Sequence, residues 1–251
     1  MKSTAVYFAV PNDIKTIGIC SKHLSTNIDE VFVCVNKKDK NIELPPELSS
    51  IITFFDYSRG LNGFESIFGM KYVFRQLFET GTDIIVKIDK NDYILDVEKF
   101  IIPIEMGCDY VFGKKLGQFN SYSFSKYAFS KIDELPFEKT DEILKSGGTD
   151  VEIFKKLFDS VPSLAKCEIS ERKVYTKDKP YCNMDCILIN ISGLSDVKSE
   201  LIKVNPIISN VMFPPSEPNK KQESVSEVLE IIPESDKKSK ISDNTEIIDI
   251  S

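Results

Sequence analysis

The 251-residue sequence has no tryptophan and a single histidine, His23. Its six cysteines, Cys20, Cys34, Cys108, Cys167, Cys182 and Cys186, are dispersed and form no Cys-x-x-Cys pair. Cys182 and Cys186 lack the second cysteine or histidine pair that would complete a zinc site. Cys34 lies inside the apolar run VFVCVN, where a free thiol behaves as a small hydrophobe. These features predict a reduced, intracellular chain of cytoplasmic type. A basic surplus is also missing. The net charge is −7, which argues against broad electrostatic binding of nucleic acid. No stretch reaches the roughly 18 apolar residues of a membrane helix, so no membrane span is expected. The opening MKSTAVYFAVPND is short in apolar length and broken by Pro11-Asn12-Asp13, so it reads as a first strand rather than a signal peptide.

Hydrophobic residues make up 41% of the chain and charged residues 28%, enough for a substantial core. Apolar runs at 5–10, 30–36, 51–58, 83–89 and 109–113 predict five strands. Helical periodicity falls between them, at 13–24, 62–79 and 96–106, with Pro103 expected to end or kink the last. Alternation of this kind predicts an α/β fold, a mixed but mainly parallel sheet with helices on both faces. Further on, 120–132 alternates serine and aromatic residues and reads as a strand or a loop. Gly147-Gly148 reads as a hinge before an amphipathic helix over 149–161, with Thr149 or Asp150 as its N-cap. CEISERKVYT and MDCILINIS read as two late strands.

From about Pro214 the composition shifts to Pro, Ser, Glu and Lys, without aromatic residues. Such a segment cannot bury enough surface to offset its chain entropy. The expected organisation is one domain over 1–212 and a disordered tail over 213–251. LEIIP and EIIDIS in that tail are candidate docking motifs for a partner protein.

In a parallel sheet, ligands bind beyond the carboxyl ends of the strands. Here those ends carry Pro11, Asn12 and Asp13, then Asn36 to Asp39, then Asp56 to Arg59, then Asp89 to Asp92. The last group follows a buried strand in GTDIIVKIDKNDYILD. Two readings suit it: a turn, which Asp and Asn favour, or a site for a hard cation and a phosphate-bearing substrate. Lys87 either touches phosphate or snorkels at the strand end. Asp150 either caps its helix or acts as a base.

Four stretches carry a resemblance to a known family: YFAVPNDIKTIGICSKHL, GFESIFGMKYVFRQLFETGTDIIVKIDKND, GCDYVFG and GGTDVEIFKKLF. In order and spacing they resemble glycosyltransferases of the GT-A fold, family 2-like, which use nucleotide-diphosphate sugars. The resemblance implies that Asp89 is the first acid of an Asp-x-Asp motif that holds Mn²⁺ or Mg²⁺. Asn91 stands where the second acid is usual and Asp92 follows it. Either Asp92 takes the metal role, or Asn91 ligates through its amide oxygen. Pro11, Asn12 and Asp13 would line the base and ribose pocket, Asp56 would accept from the base, and Lys87 would belong to the donor site. Asp150 would be the general base, with Thr149 in place of a first acid. No late histidine is present to complete the metal shell, and Asp185 is a weak substitute.

The resemblance therefore implies a metal-assisted hexosyltransferase, inverting, with a UDP-sugar as donor. The acceptor is a glycan, protein, lipid or modified nucleic acid. A nucleotidyltransferase is the first alternative, but VPNDIKTIGIC lacks the glycine-rich basic loop that would hold a triphosphate. A non-catalytic binding module is the second.

Overall fold

The structure is a computed structural model. It describes residues 1–9, 27–36, 54–57, 64–114, 120–170, 174–175 and 188–190, together with Ile17 and Leu24. Along these residues the strands are β1 (Ser3–Ala9), β2 (Glu30–Asn36), β3 (Phe54–Tyr57), β4 (Ile84–Ile88), β5 (Asp92–Ile94), β6 (Tyr110–Gly113), β7 (Tyr122–Ser125), β8 (Lys166–Ile169), β9 (Val174–Tyr175) and β10 (Leu188–Asn190). The helices are α1 (Phe64–Glu79), α2 (Glu98–Glu105), α3 (Lys126–Asp133), α4 (Phe137–Lys145) and α5 (Asp150–Asp159). Ile17 and Leu24, inside the predicted first helix, are helical and buried.

The main sheet has seven strands in the order β3-β2-β1-β4-β7-β6-β8. All pairings are parallel except those of β7, which runs antiparallel to both β4 and β6. A small second sheet has the order β5-β10-β9. The α/β expectation, a mixed and mainly parallel sheet, is met. The reversed strand has a consequence for position. β7 begins at the edge where β4 ends, with Lys87 opposite Tyr122. The carboxyl end of β4, the start of β7 and the residues just before it, Asn120 and Ser121, therefore meet.

Strand alternation sends side chains to two faces. Ala5, Tyr7, Ala9, Ile84, Val86 and Ile88 join a core with Phe100, Ile101 and Ile104 of α2. Val6 and Ile85 face the opposite core, with α1, α3 and α5. Lys87 shares the parity of Ile85, so it points into that second core.

The second core is aromatic. Phe74 of α1 makes edge contacts with Phe124 at 5.0 Å and Phe154 at 5.5 Å between ring centroids. Phe112 and Tyr122 stack at 4.6 Å. α1 ends in a Schellman arrangement: Thr82 N–H donates to Leu77 C=O, Gly81 N–H donates to Phe78 C=O, and Gly81 takes φ +101°. That cap turns the chain directly into β4.

Several elements differ from the sequence reading, among them CEISERKVYT, which gives two strands, β8 and β9, in separate sheets. Residues 126–133, expected as strand or loop, form α3, because the Ser125 hydroxyl accepts from the Ala128 N–H and starts a helix. Pro103 lies inside α2, which runs on to Glu105. Its missing N–H removes the i→i−4 bond that would reach the Lys99 carbonyl, yet the helix continues for two more residues. α4 was not anticipated; it buries only Thr140 and Leu144, which leaves a faint periodic signal.

The chain divides into two units, Met1–Pro214 and Pro215–Ser251. All described residues belong to the first, and the tail expectation lies outside them. Among the described residues, no helix is long and apolar enough to cross a membrane.

Two outcomes follow for stability. Phe74→Ala removes the ring shared by α1, β7 and α5, and should cost about 3–5 kcal/mol in urea unfolding. Asp159, at the end of α5, accepts from the Tyr110 hydroxyl at 2.7 Å and from Lys155. Burial opposes its charge, but those bonds and the Lys155 and Lys166 charges outweigh it, so its pKa lies below the ordinary carboxylate value. Its contribution is present above that value and is lost as pH falls through the lower folded-state pKa. Urea melts from about pH 5 down to pH 2 should show a shallower loss for Asp159→Asn than for the wild type.

Candidate functional site

The edge shared by β4 and β7 holds a buried cation among acids. Lys87 is the last polar residue of β4, and its side chain is only 4% exposed. It does not snorkel to water. Its Nζ lies 2.8 Å from Asp150 Oδ2 and 3.9 Å from Asp89 Oδ2. It also donates to the Asn120 carbonyl at 3.5 Å and stands 5.6 Å from the centre of the Tyr122 ring. Burial alone would depress the lysine pKa. The Asp150, Asp89 and Asp92 carboxylates outweigh that effect and raise it above the ordinary lysine value, so the ammonium is fixed as a cation.

Asp150 reaches this point because it opens α5. Capping does not occupy it. The Thr149 hydroxyl accepts from the Glu152 N–H, while Glu152 Oε2 accepts from the Thr149 N–H at 2.7 Å, a complete capping box. The two readings of Asp150 are thereby separated: its neighbour caps the helix, and its own carboxylate goes to Lys87. With its side chain 32% exposed, Asp150 also keeps a face toward solvent.

Asp89 to Asp92 is a turn and a cluster at once. Asp89 Oδ1 accepts from the Asn91 N–H at 2.9 Å, and the Asp89 carbonyl accepts from the Asp92 N–H at 2.9 Å. The acids then part. Asp92 is fully buried, and its Oδ2 accepts from the Asn120 N–H at 3.0 Å and the Ser121 hydroxyl at 2.8 Å. Ser121 in turn accepts from the Asp89 N–H at 3.0 Å. Asp92 thus ties the turn to the start of β7. Asp89 and Asn91 remain half-buried, open to a ligand.

No group of three His, Cys, Asp or Glu residues close enough to hold a metal ion occurs among the described residues. Mg²⁺ and Mn²⁺ do not need such a cage. They bind through one or two protein oxygens plus substrate phosphates and water. Asp89 and Asn91, held in one turn with Asp89 already bearing on Lys87, suit an ion that arrives with a diphosphate.

Of the other expected site residues, Pro11, Asn12 and Asp13 lie outside the described residues, as does Asp185. Asp56 lies in β3, opposite Val35 of β2; its side chain is not described. Sequence reasoning did not single out Asn120 or Ser121 for this site. The available signal was the antiparallel strand that starts there, since only a reversed strand brings its first residues to the end of β4.

No protein-family model matches the sequence, and no curated protein matches it. Solved structures do. The galactosyltransferase LgtC in complex with donor and acceptor sugar analogs matches with TM-score 0.51 at 14% identity, over 85% of this chain and 98% of that one. A glycosyltransferase involved in glycosylation of the major capsid of PBCV-1 gives 0.45 at 11%, over 84% and 98%. Glucosyl-3-phosphoglycerate synthase from Mycobacterium tuberculosis, solved with Mn²⁺, UDP and phosphoglyceric acid, gives 0.44 at 16%, over 67% and 68%. The likeness to LgtC shows the architecture: this chain has the GT-A type of α/β fold.

Proposed function

We propose that this protein is a glycosyltransferase that moves a hexose from a nucleotide-diphosphate sugar, with a UDP-sugar as the donor, to an acceptor hydroxyl. The observation that carries the reading is the meeting of Asp89 and Asp150 on one buried ammonium, at the carboxyl edge of a mainly parallel sheet. A solved structure of the same fold holds donor and acceptor sugar analogs, which supports this substrate class.

Transfer builds negative charge on the departing diphosphate. A divalent ion held by Asp89 and Asn91 would supply Lewis-acid neutralisation there. Lys87 adds fixed positive charge from beneath and keeps Asp89 and Asp150 from repelling each other. On the acceptor side, the exposed face of Asp150 takes the proton of the attacking hydroxyl. Asp150 would act through its position, held on Lys87 in the first turn of α5. A base on the side opposite the diphosphate gives inversion.

The same ion pair favours a second reading. An aspartate neutralised by a buried lysine suits a module that binds sugar nucleotides without transferring them.

A thermal-shift screen of UDP-, GDP-, CDP- and TDP-sugars with Mn²⁺ should show a rise for a UDP-hexose. Product release then separates the readings, since the binding module gives the shift and no product. Asp89→Ala should lower turnover on the order of 100-fold or more and weaken Mn²⁺-dependent binding. Asp92→Asn should instead act mainly through stability, as a drop in melting temperature with metal dependence kept. Asp150→Asn should reduce kcat by a factor of at least about 100 with donor affinity retained. It should also lower the melting temperature, because buried Lys87 is left with only the more distant Asp89 as counter-ion. If no sugar nucleotide shifts the melting curve, the donor assignment fails.

A further inference from the structure

Beside the Lys87–Asp150 pair lies a group that the reaction scheme does not use. Tyr122 is fully buried, and its hydroxyl has no hydrogen-bond partner among the described residues. An unsatisfied buried hydroxyl is destabilising, and the matching phenylalanine would avoid the penalty. The surroundings would suit phenylalanine well, since the ring is stacked on Phe112 and packed against Phe154 and Phe124. Tyr122 is the cross-strand neighbour of Lys87 and lies beneath its ammonium. Burial, and then the nearby Asp150 charge, hold the phenol well above its usual pKa, so it is a proton donor and never an anion at neutral pH.

We propose that Tyr122 is a positioning residue for the Lys87–Asp150 pair, its hydroxyl a hydrogen-bond donor held in reserve for the Asp150 carboxylate when substrate occupies the site. Lys87 already fixes Oδ2 of that carboxylate. A second donor from below would restrain its rotation, with the outer lone pairs left to the acceptor hydroxyl. The restraint matters because a base must be held within hydrogen-bond reach of the proton it takes. This role rests on the transferase reading above.

The test compares two hydroxyls of the same domain. Tyr110 donates to Asp159 at 2.7 Å, away from the site, and serves as the control. For each variant, melting temperature, Kd for UDP by calorimetry, and kcat and KM for hydrolysis of UDP-glucose and UDP-galactose with Mn²⁺ would be measured. Tyr122→Phe should melt at or above the wild-type temperature, bind UDP unchanged and keep KM, yet lose about tenfold in kcat. Tyr110→Phe should do the reverse, melting lower with kcat unchanged. Full kcat in Tyr122→Phe overturns the positioning role and leaves the transferase reading standing. A lower melting temperature with a proportionate fall in active protein also overturns it, because the hydroxyl would then be structural. If the wild type binds and hydrolyses neither sugar nucleotide, the transferase reading falls first and takes this role with it.

Discussion

A lysine ammonium buried against the end of β4 is the constraint around which this domain is arranged. Moving a cation out of water costs several kcal/mol unless it is paired and hydrogen-bonded. Here the compensation comes from three separate places. Asp150 comes from the first turn of α5, Asp89 from the turn after β4, and a carbonyl from Asn120 just before β7. None of them is a near neighbour in sequence except Asp89. The cost of burying Lys87 is therefore offset only when α5 and β7 have both docked. Folding and assembly of the site are the same event.

The aromatic core supplies the rigidity that the ion pair requires. Phe154 sits on the same helix as Asp150, one turn further on, and packs against Phe74 and Tyr122. Dispersion and ring-edge contacts of this kind fix the helix axis. The capping box of Thr149 and Glu152 fixes where the helix begins. Between them, the position of one carboxylate is set to within a side-chain rotation. Asp92 performs the matching task at the turn after β4. It spends its carboxylate on Asn120 and Ser121, so that the turn carrying Asp89 and Asn91 cannot drift from the sheet edge.

Much of this frame was legible from residue pattern, and the reasons for the rest are specific. Strands β1, β2 and β4 are continuous apolar runs, and α1 carries a full apolar face and a glycine stop, so each declared itself. Residues 120–132 did not, because YSFS has strand alternation and the serine that ends the strand also caps α3. Asp89 and Asp150 could be singled out as acids at a strand end and a helix start. Their joint partner could not. Lys87 follows an apolar run and precedes an aspartate, which is the ordinary look of a strand surfacing. Only the parity of β4, with Ile85 and Lys87 on the aromatic face, shows that the lysine turns inward. The split between Asp89 and Asp92 was equally hidden, since it depends on which backbone N–H groups β7 brings to the turn.

The placement of charge also bears on how such a site would handle a diphosphate. With Lys87 paired, Asp89 and Asp150 together carry about one negative charge rather than two, and the ammonium lies beneath them. A dianionic leaving group approaching from outside meets less repulsion than from two free acids. The half-exposed Asp89 and Asn91 leave the outer side free for an ion brought by the substrate. An amide in place of a second acid follows the same logic. Each acid removed from the turn lowers affinity for a bare cation, but it lowers the barrier to the phosphates by a similar charge. On the proposed reading, a site with an internal ammonium and an amide beside Asp89 in its outer turn would favour the complex of ion and diphosphate over either component alone.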